Sequence, residues 1–326
     1  MSGPALLKKH LDATLRMRYK EKQSISKIEP PRVLGQPRAC RLRPFGWRPQ
    51  TPWASAWGVI FCRGMMERII DLEEGTLRVV SSVLRVERGD AKPVSVDVAE
   101  VAVVILSSRT TVSGAAAVLL ARAGAAMVFV DERFLPVSLT LPFSGRSMER
   151  LRLQVERLPM LAPQLWQQIV QQKIKAQAEL LDTLGRTHEL QDLHVALGDS
   201  TNAEATATRA YWERLFGPTF TRRDDDGVNP LLNYGYAVLR ALVARAIVSQ
   251  GLHPAIGIRH RDPFALASDL MEPFRPLVDH AVVAQSAGAA LDKSTKRAIL
   301  EAVMEAREPI SAAVQRFVGE SLESPW

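Results

Sequence analysis

Four side chains in the C-terminal half have types and spacing suited to metal chemistry: Glu204 in NAEATATRAYW, His260 in IGIRHRDPF, and Asp269 with Glu272 in LASDLMEPFRPLVD. Carboxylate oxygens joined by one imidazole suit Mg2+ or Mn2+, and a hard cation held in this way serves the cutting or joining of phosphodiesters. Each residue also has an ordinary structural explanation. Thr201-Asn202-Ala203-Glu204 has the form of a capping box opening a helix. Asp269-Leu270-Met271-Glu272 has a similar form, with Pro273 tolerable in a first helical turn. A spacing of three equally places Asp269 and Glu272 on one helical face, from which both could offer oxygens to one ion. His260 is set apart by its neighbours, the charged run Arg259, His260, Arg261 and Asp262. Of the other histidines, His188 and His194 sit in a polar segment and are expected to face solvent, while His10, His253 and His280 have no evident partners. Spacing leaves the ligand and capping readings both open.

Several familiar motifs are missing from the sequence. There is no GxxxxGK[ST] loop, no GxGxxG after a strand, no GxSxG elbow and no HExxH, so nucleotide-binding and serine-hydrolase chemistry lack support. RRDDDG resembles part of a calcium loop, but with Gly227 at its sixth position the first ligand would be Arg222 and the twelfth Asn233. That register cannot cage Ca2+, and a solvated loop is expected instead.

The elements that must position the four residues follow from periodicity. From Arg68 to Phe143 short runs rich in Val, Ile, Leu and Thr read as strands: TLRVVSSVLRVERG, PVSVDVAEVAVVIL, AAMVFVD and FLPVSLTL. ERGDAKP supplies a hairpin turn, and TVSGAAAVLLARAG a short helix between strands. This block carries no catalytic constellation and reads as scaffold. LPFSGRS marks a linker, after which helices are expected over Ser147 to Leu158, Pro163 to Leu184, Thr201 to Phe216, Leu231 to Ser249, Leu270 to Ala287 and Ser294 to Val318. LLNYGYAVLRALVARAIVS is apolar almost all round and is expected to be the central buried helix. The fold class is therefore α+β: a small N-terminal β-rich domain over 65–143, a linker over 144–150, and a larger all-helical catalytic domain over 151–326.

With 326 residues, 47% of them hydrophobic and 24% charged, the chain has a globular balance and the length of two domains. Its net charge of +7 is unevenly placed. Residues 1–64 hold 13 Lys or Arg against 3 Asp or Glu, whereas the remainder holds 29 against 32. Any affinity of the body for nucleic acid must therefore come from a local patch or a metal. The head, rich in Pro, Arg and Trp, is expected to lack order apart from a short helix through Lys8 to Lys22. A translation start at Met65 or Met66 would remove it. Cys40 and Cys62, the two cysteines, offer no disulfide framework and no CxxC zinc site, which fits a reducing cytoplasm. No secretory signal or membrane span is expected, since the most apolar region, Val98 to Val130, is interrupted by Arg109 and Arg122.

Taken in order, NAEATATRAYWERLFG, GVNPLLNYGYAVLRALVARAI, GLHPAIGIRH and LASDLMEPFRPLVD closely resemble the endonuclease and integrase family of CRISPR spacer acquisition. The wording LNYGYAxLR and LMEPFRPLVD is most similar to its type II branch. WQQIVQQKIKAQAELL belongs to the same likeness, which covers roughly residues 66 to 318. The resemblance implies a β-rich domain followed by a helical one, and a Mg2+ or Mn2+ ion held by Glu204, His260 and Glu272, with Asp269 a supporting acid. It implies joining of the 3′ hydroxyl ends of a captured DNA fragment to the repeat DNA of a CRISPR array. Arg259 and Arg261 become candidate phosphate contacts by position. The implied partners are double-stranded DNA, a second copy in a homodimer, a small bridging protein of ferredoxin-like fold and, in type II systems, the RNA-guided effector.

Three features depart from the family pattern. The basic head is extra, the loop between His260 and Glu272 is short, and Ser268 replaces an acid often found there. Two other readings compete with the integrase: a catalytically silent DNA-binding scaffold whose carboxylates only cap helices, and a metallohydrolase of small molecules.

Overall fold

The computed structural model describes residues 68–132, 136–142, 148–224, 226–285 and 290–324. The basic head with its expected helix, Met65 and Met66, both cysteines and His10 lie outside these residues. The described chain opens with a six-stranded sheet and continues as helices. Strands β1 (Arg68–Val80), β2 (Val83–Glu87), β3 (Val94–Val96), β4 (Val101–Val112), β5 (Ala126–Val130) and β6 (Pro136–Thr140) lie in the order β3-β2-β1-β4-β5-β6. β4 runs parallel to both β1 and β5, and the other pairings are antiparallel.

Two expected strands are not single: PVSVDVAEVAVVIL is divided by a 3-10 turn (Val98–Glu100) into β3 and the start of β4, and another is in fact a hairpin. TLRVVSSVLRVERG folds back at Ser81 and Ser82, which have φ of 51° and 64° and pair Val80 with Val83. A two-residue turn of this kind demands φ > 0 at both positions, and Ser-Ser lacks the Gly or Asn that usually announces it. The turn expected in ERGDAKP does join β2 to β3, with Gly89 at φ +46°.

Helix α1 (Gly114–Arg122), capped by the Ser113 side chain, connects β4 to β5 and covers one face of the sheet. The other face packs on α4 (Asn229–Ser249), the expected central helix. Ala102, Val103 and Ile105 of β4 and Ala126 and Val128 of β5 share a core with Leu232, Leu239, Val243 and Ile247 of α4. By length and hydropathy α4 could cross a membrane, but 72% of its most apolar stretch is buried inside the protein. Gly235 lets it meet the later helices, because a Cβ there would stand 2.3 Å from Val278 Cγ1. A buried polar group ties β1 to these helices. Lys296 lies 3.7 Å from Asp71, pairs with Glu73 and sits over the Tyr234 ring, whose hydroxyl donates to Asp71 at 2.9 Å.

Helix α2 (Met148–Thr183) replaces the two expected helices with one of 36 residues, passing through Pro159 and Pro163. Each proline removes one intrahelical donor, but Leu158, Leu165, Trp166, Ile169 and Val170 bury a continuous stripe across the interruption. The helix begins inside the expected linker, while 143–147 lie outside the described residues. Prolines do divide other expected helices. Leu270 to Ala287 resolves into α5 (Ala265–Met271), a 3-10 turn (Glu272–Phe274) and α6 (Arg275–Val283), with Pro273 and Pro276 at the joints. Ser294 to Val318 becomes α7 (Lys293–Glu305) and α8 (Arg307–Arg316), because Pro309 has no N–H for the Glu305 carbonyl. Between α2 and α4 lies α3 (Ala203–Phe216), and α2 packs against α3, the turn Leu197–Asp199 and the turn Glu272–Phe274.

Candidate metal centre

Glu204 lies in the first turn of α3, and the expected capping box does not form. Asn202, at the cap, makes no side-chain bond, and Asp199 takes that role, accepting from the N–H groups of Ala203 at 2.8 Å and Glu204 at 3.3 Å. The Glu204 side chain is thereby left to turn toward α2, where its Oε1 meets Lys173 Nζ at 2.7 Å. Glu272, in the turn after α5, likewise caps nothing. Its Oε2 meets the same Lys173 Nζ at 2.7 Å, and its Oε1 meets Arg275 at 3.1 Å. The two carboxylates, from separate elements, thus lie within twice 2.7 Å of each other with an ammonium between them.

Burial separates the members of this group. The Glu272 side chain is 3% exposed and that of Lys173 5%, while Glu204 remains 30% exposed. Burial by itself pushes the Glu272 carboxyl up, but the Arg275 and Lys173 cations outweigh it and hold the group below its ordinary value. Glu272 is consequently ionised at neutral pH although almost no water reaches it. Arg275 is fixed in turn by the face of Tyr236, 4.5 Å from the ring centre.

Asp269 and Glu272 do not share a target. Asp269, expected as a supporting acid beside the ion, is fully buried in α5 and faces the loop that carries His260. Its Oδ2 accepts from the N–H groups of Ile258 at 2.5 Å and Arg259 at 3.1 Å. Its Oδ1 accepts from the His260 N–H at 3.1 Å and meets His260 Nδ1 at 2.7 Å. Both oxygens are therefore committed to the protein, and Asp269 stands behind His260. Gly257 makes the approach possible, since a Cβ there would lie 2.8 Å from Asp269 Oδ2 and 2.5 Å from Ala265 Cβ.

With Nδ1–H given to Asp269, neutral His260 presents an unprotonated Nε2, the arrangement typical of a ligand imidazole braced by a carboxylate. Its side chain is 37% exposed, with the edge of Trp166 at 5.9 Å. The Asp269 hydrogen bond raises the His260 pKa, opposed by burial and assisted by the charges of Asp269 and Glu272.

The donor chemistry fits a hard divalent ion: two carboxylates already converge on one cation, and the His260 imidazole lies near enough to Glu272 for their charges to interact. Among the described residues no three His, Cys, Asp or Glu side chains stand close enough to enclose an ion as they are. Arg259 and Arg261 are exposed on the same loop.

The remaining expectations divide. His194, His253 and His280 are exposed, but the His188 side chain is 3% exposed, linked to Asp182 at 3.0 Å and accepting from the Leu190 N–H. Arg222 of RRDDDG is no solvated loop residue, since it bonds Asn229 and Asn233 and lies over the Trp212 and Tyr236 rings. A cavity of about 540 Å³ lined by Arg122, Arg245 and Arg307 contains none of the candidate residues. Sequence reasoning missed Lys173 and Arg275. Lys173 was detectable as a charge on the stripe Trp166, Ile169, Val170, Ile174, Gln177 that α2 buries.

A family model described as CRISPR associated protein Cas1 matches residues 69–304. A CRISPR-associated endonuclease Cas1 of Neisseria meningitidis serogroup C is 42% identical over 200 residues, covering 58% of this chain and 66% of that protein. One from Pyrobaculum aerophilum is 40% identical over 131 residues, 35% of this chain and 44% of its own. The chain thus spans less than two thirds of the length of these curated relatives. Among solved structures, a Cas1 protein from Thermotoga maritima is similar with a TM-score of 0.64 at 17% identity, covering 77% of this chain and 96% of that one. A casposase bound to integration product reaches 0.62 at 17% identity, over 77% and 91%. A chain of a Cas6-RT-Cas1–Cas2 complex reaches 0.61 at 16% identity, over 79% and 35%. At these identities the structural likeness is one of fold.

Proposed function

From the premise that the chain belongs to the Cas1 family, we propose that it is a metal-dependent DNA endonuclease and integrase of CRISPR spacer acquisition, of the type II branch. It joins the 3′ hydroxyl ends of captured DNA to the repeat DNA of the array. The observation that carries the reading is the convergence of buried Glu272 and partly exposed Glu204 on a single cation position. Glu204, His260 and Glu272 would hold Mg2+ or Mn2+, and Asp269 would position His260 from behind. What the ion supplies when bound is charge neutralisation at the scissile phosphate and acidification of the attacking hydroxyl.

The chain's own residues do the rest. Arg275 keeps Glu272 ionised, so its charge is present without a proton to shed. Asp269 fixes the His260 ring and its tautomer. Arg259 and Arg261 are exposed on the loop that carries His260, and as phosphate contacts they would set register rather than sequence. The partners of this reading are double-stranded DNA, a second copy of the chain, a Cas2-like bridging protein and the type II effector, all in the cytoplasm.

Replacement of Glu204, His260 and Glu272 by alanine, one at a time, tests the assignment in a strand-transfer assay with Mn2+ or Mg2+ and the bridging partner. Each variant should lose joining while still binding DNA, and unchanged joining by any of them would remove that residue from the set. One observation favours the silent-scaffold reading, namely that Lys173 already neutralises both carboxylates. A scaffold would gain no thermal stability from Mn2+, whereas a ligand cluster would.

A further inference from the structure

Glu272 has no uncommitted oxygen: Lys173 holds Oε2 at 2.7 Å, and Arg275 holds Oε1 at 3.1 Å and reaches Oε2 at 3.4 Å. A second cation drawn to this carboxylate meets the positive charges of both, and must push one of them aside to come as close as they are. The two are unequally free to yield. Arg275 is pinned by the Tyr236 ring and packed at the start of α6, and its Nη1 lies near both Glu272 oxygens. Lys173 is a point charge on a flexible four-carbon stem, rooted in the middle of a rigid helix and held at its tip by Glu204 and Glu272.

Two buried or half-buried carboxylates this close repel one another unless a positive charge lies between them. Without such a charge their repulsion would cost stability until another cation took the place between them. Neither Glu204 nor Glu272 is needed as a cap, so the pair is not retained for helix ends. The lysine also serves no other described carboxylate.

We propose that Lys173 is a built-in counter-ion that holds Glu204 and Glu272 together in the metal-free protein and gives up its place when a divalent cation enters. The inference deepens the metal-centre reading and rests on it. Metal affinity is then set partly by how readily Lys173 withdraws, because apparent affinity falls with the fraction of molecules in the competent state. Lys173 is thus a positioning residue, working through the carboxylates it aligns.

The test uses the full chain, wild type and Lys173→Met, with Mn2+ as the probe. Thermal unfolding is followed with chelator and with saturating Mn2+, and Mn2+ affinity is measured by the paramagnetic signal of the free ion. In chelator Lys173→Met should unfold roughly 10 °C below wild type, as expected when a buried charge loses its partner in a domain of this size. Mn2+ should restore most of that loss, and its Kd should tighten about tenfold if the lysine-withdrawn state is a minor one. Lys173→Arg keeps the charge in a less yielding form and should weaken Mn2+ binding, which decides the matter even if Lys173→Met folds poorly. An Mn2+ affinity unchanged or weakened in Lys173→Met, or unchanged in Lys173→Arg, overturns the proposal. Glu272→Gln separates the two levels. If wild type binds Mn2+, Glu272→Gln abolishes it and the lysine variants leave it unmoved, only the counter-ion role falls. If wild type shows no Mn2+ binding sensitive to Glu272→Gln, both readings fall.

Discussion

Asp269→Asn is the substitution that probes the site's architecture most sharply, because it preserves shape and removes one charge. In the native protein Oδ2 accepts from two backbone N–H groups, and Oδ1 accepts from the His260 N–H and meets Nδ1. An asparagine has one acceptor oxygen and one NH2 donor. Placed in either orientation, the NH2 points at donors, leaving either Ile258 and Arg259 or His260 without its partners. Each hydrogen bond to a charged group is worth about 1.5–3 kcal/mol, and the carboxylate is fully buried, so the loss should be about 3–5 kcal/mol. For a domain of this size that corresponds to a fall in Tm of roughly 10 °C. The His260 ring should loosen with it, weakening Mn2+ binding by about 10- to 100-fold, as for other carboxylates that brace a ligand histidine. Denaturant unfolding gives the first number and Mn2+ titration the second. A variant within about 1 kcal/mol of wild type that binds Mn2+ normally would refute the bracing role.

Three further outcomes follow from the same geometry. Asp279 is buried between the hydroxyls of Tyr211 and Tyr236, and burial, offset by those hydrogen bonds and by Arg275, raises its pKa from 3.8 to about 6. The folded state then holds a proton that the unfolded state loses first, so this group's stabilising contribution declines as pH rises from about 4 to 6, by about 3 kcal/mol. Asp279→Asn should lack that decline, and parallel stability profiles for the two proteins would contradict the assignment. Gly257→Ala should destabilise by about 1–3 kcal/mol and weaken Mn2+ binding, since its Cβ would press Ala265 and Asp269 apart; calorimetry of the variant with and without Mn2+ checks both. Lys296→Met should remove about 1–3 kcal/mol, chiefly by leaving Asp71 with only its Tyr234 hydrogen bond since Glu73 is half exposed, measurable by denaturant unfolding, whereas a neutral outcome would show both carboxylates to be adequately hydrated.

Periodicity made β5, α1 and α4 legible, because each carries a hydrophobic pattern that packing then uses, while for β4 it found the apolar run but missed both the 3-10 turn before it and its extension to Val112. What escaped was information held in backbone choices without a residue signature. Ser81 and Ser82 adopt positive φ that serine does not advertise, and α2 continues through two prolines because the stripe on either side is buried. In the site, residue types raised Glu204, His260, Asp269 and Glu272 together, spacing could not dismiss the capping alternative, and the choice of Glu204, His260 and Glu272 as ligands came from the family resemblance alone. Only the fold reveals that Asp199, five residues before Glu204, does the capping. The link from Asp269 to His260 and the meeting of both glutamates on Lys173 are tertiary events between elements far apart in the chain, and no local pattern encodes them.

The central claim is that Glu204, His260 and Glu272 together hold a divalent ion. Anomalous diffraction from crystals grown with Mn2+ tests it most directly. One Mn2+ peak should lie about 2.1–2.2 Å from oxygens of Glu204 and Glu272 and from His260 Nε2, with Lys173 displaced from between the carboxylates. Crystals holding Mn2+ only elsewhere, with Lys173 still bridging Glu204 and Glu272, would contradict the account.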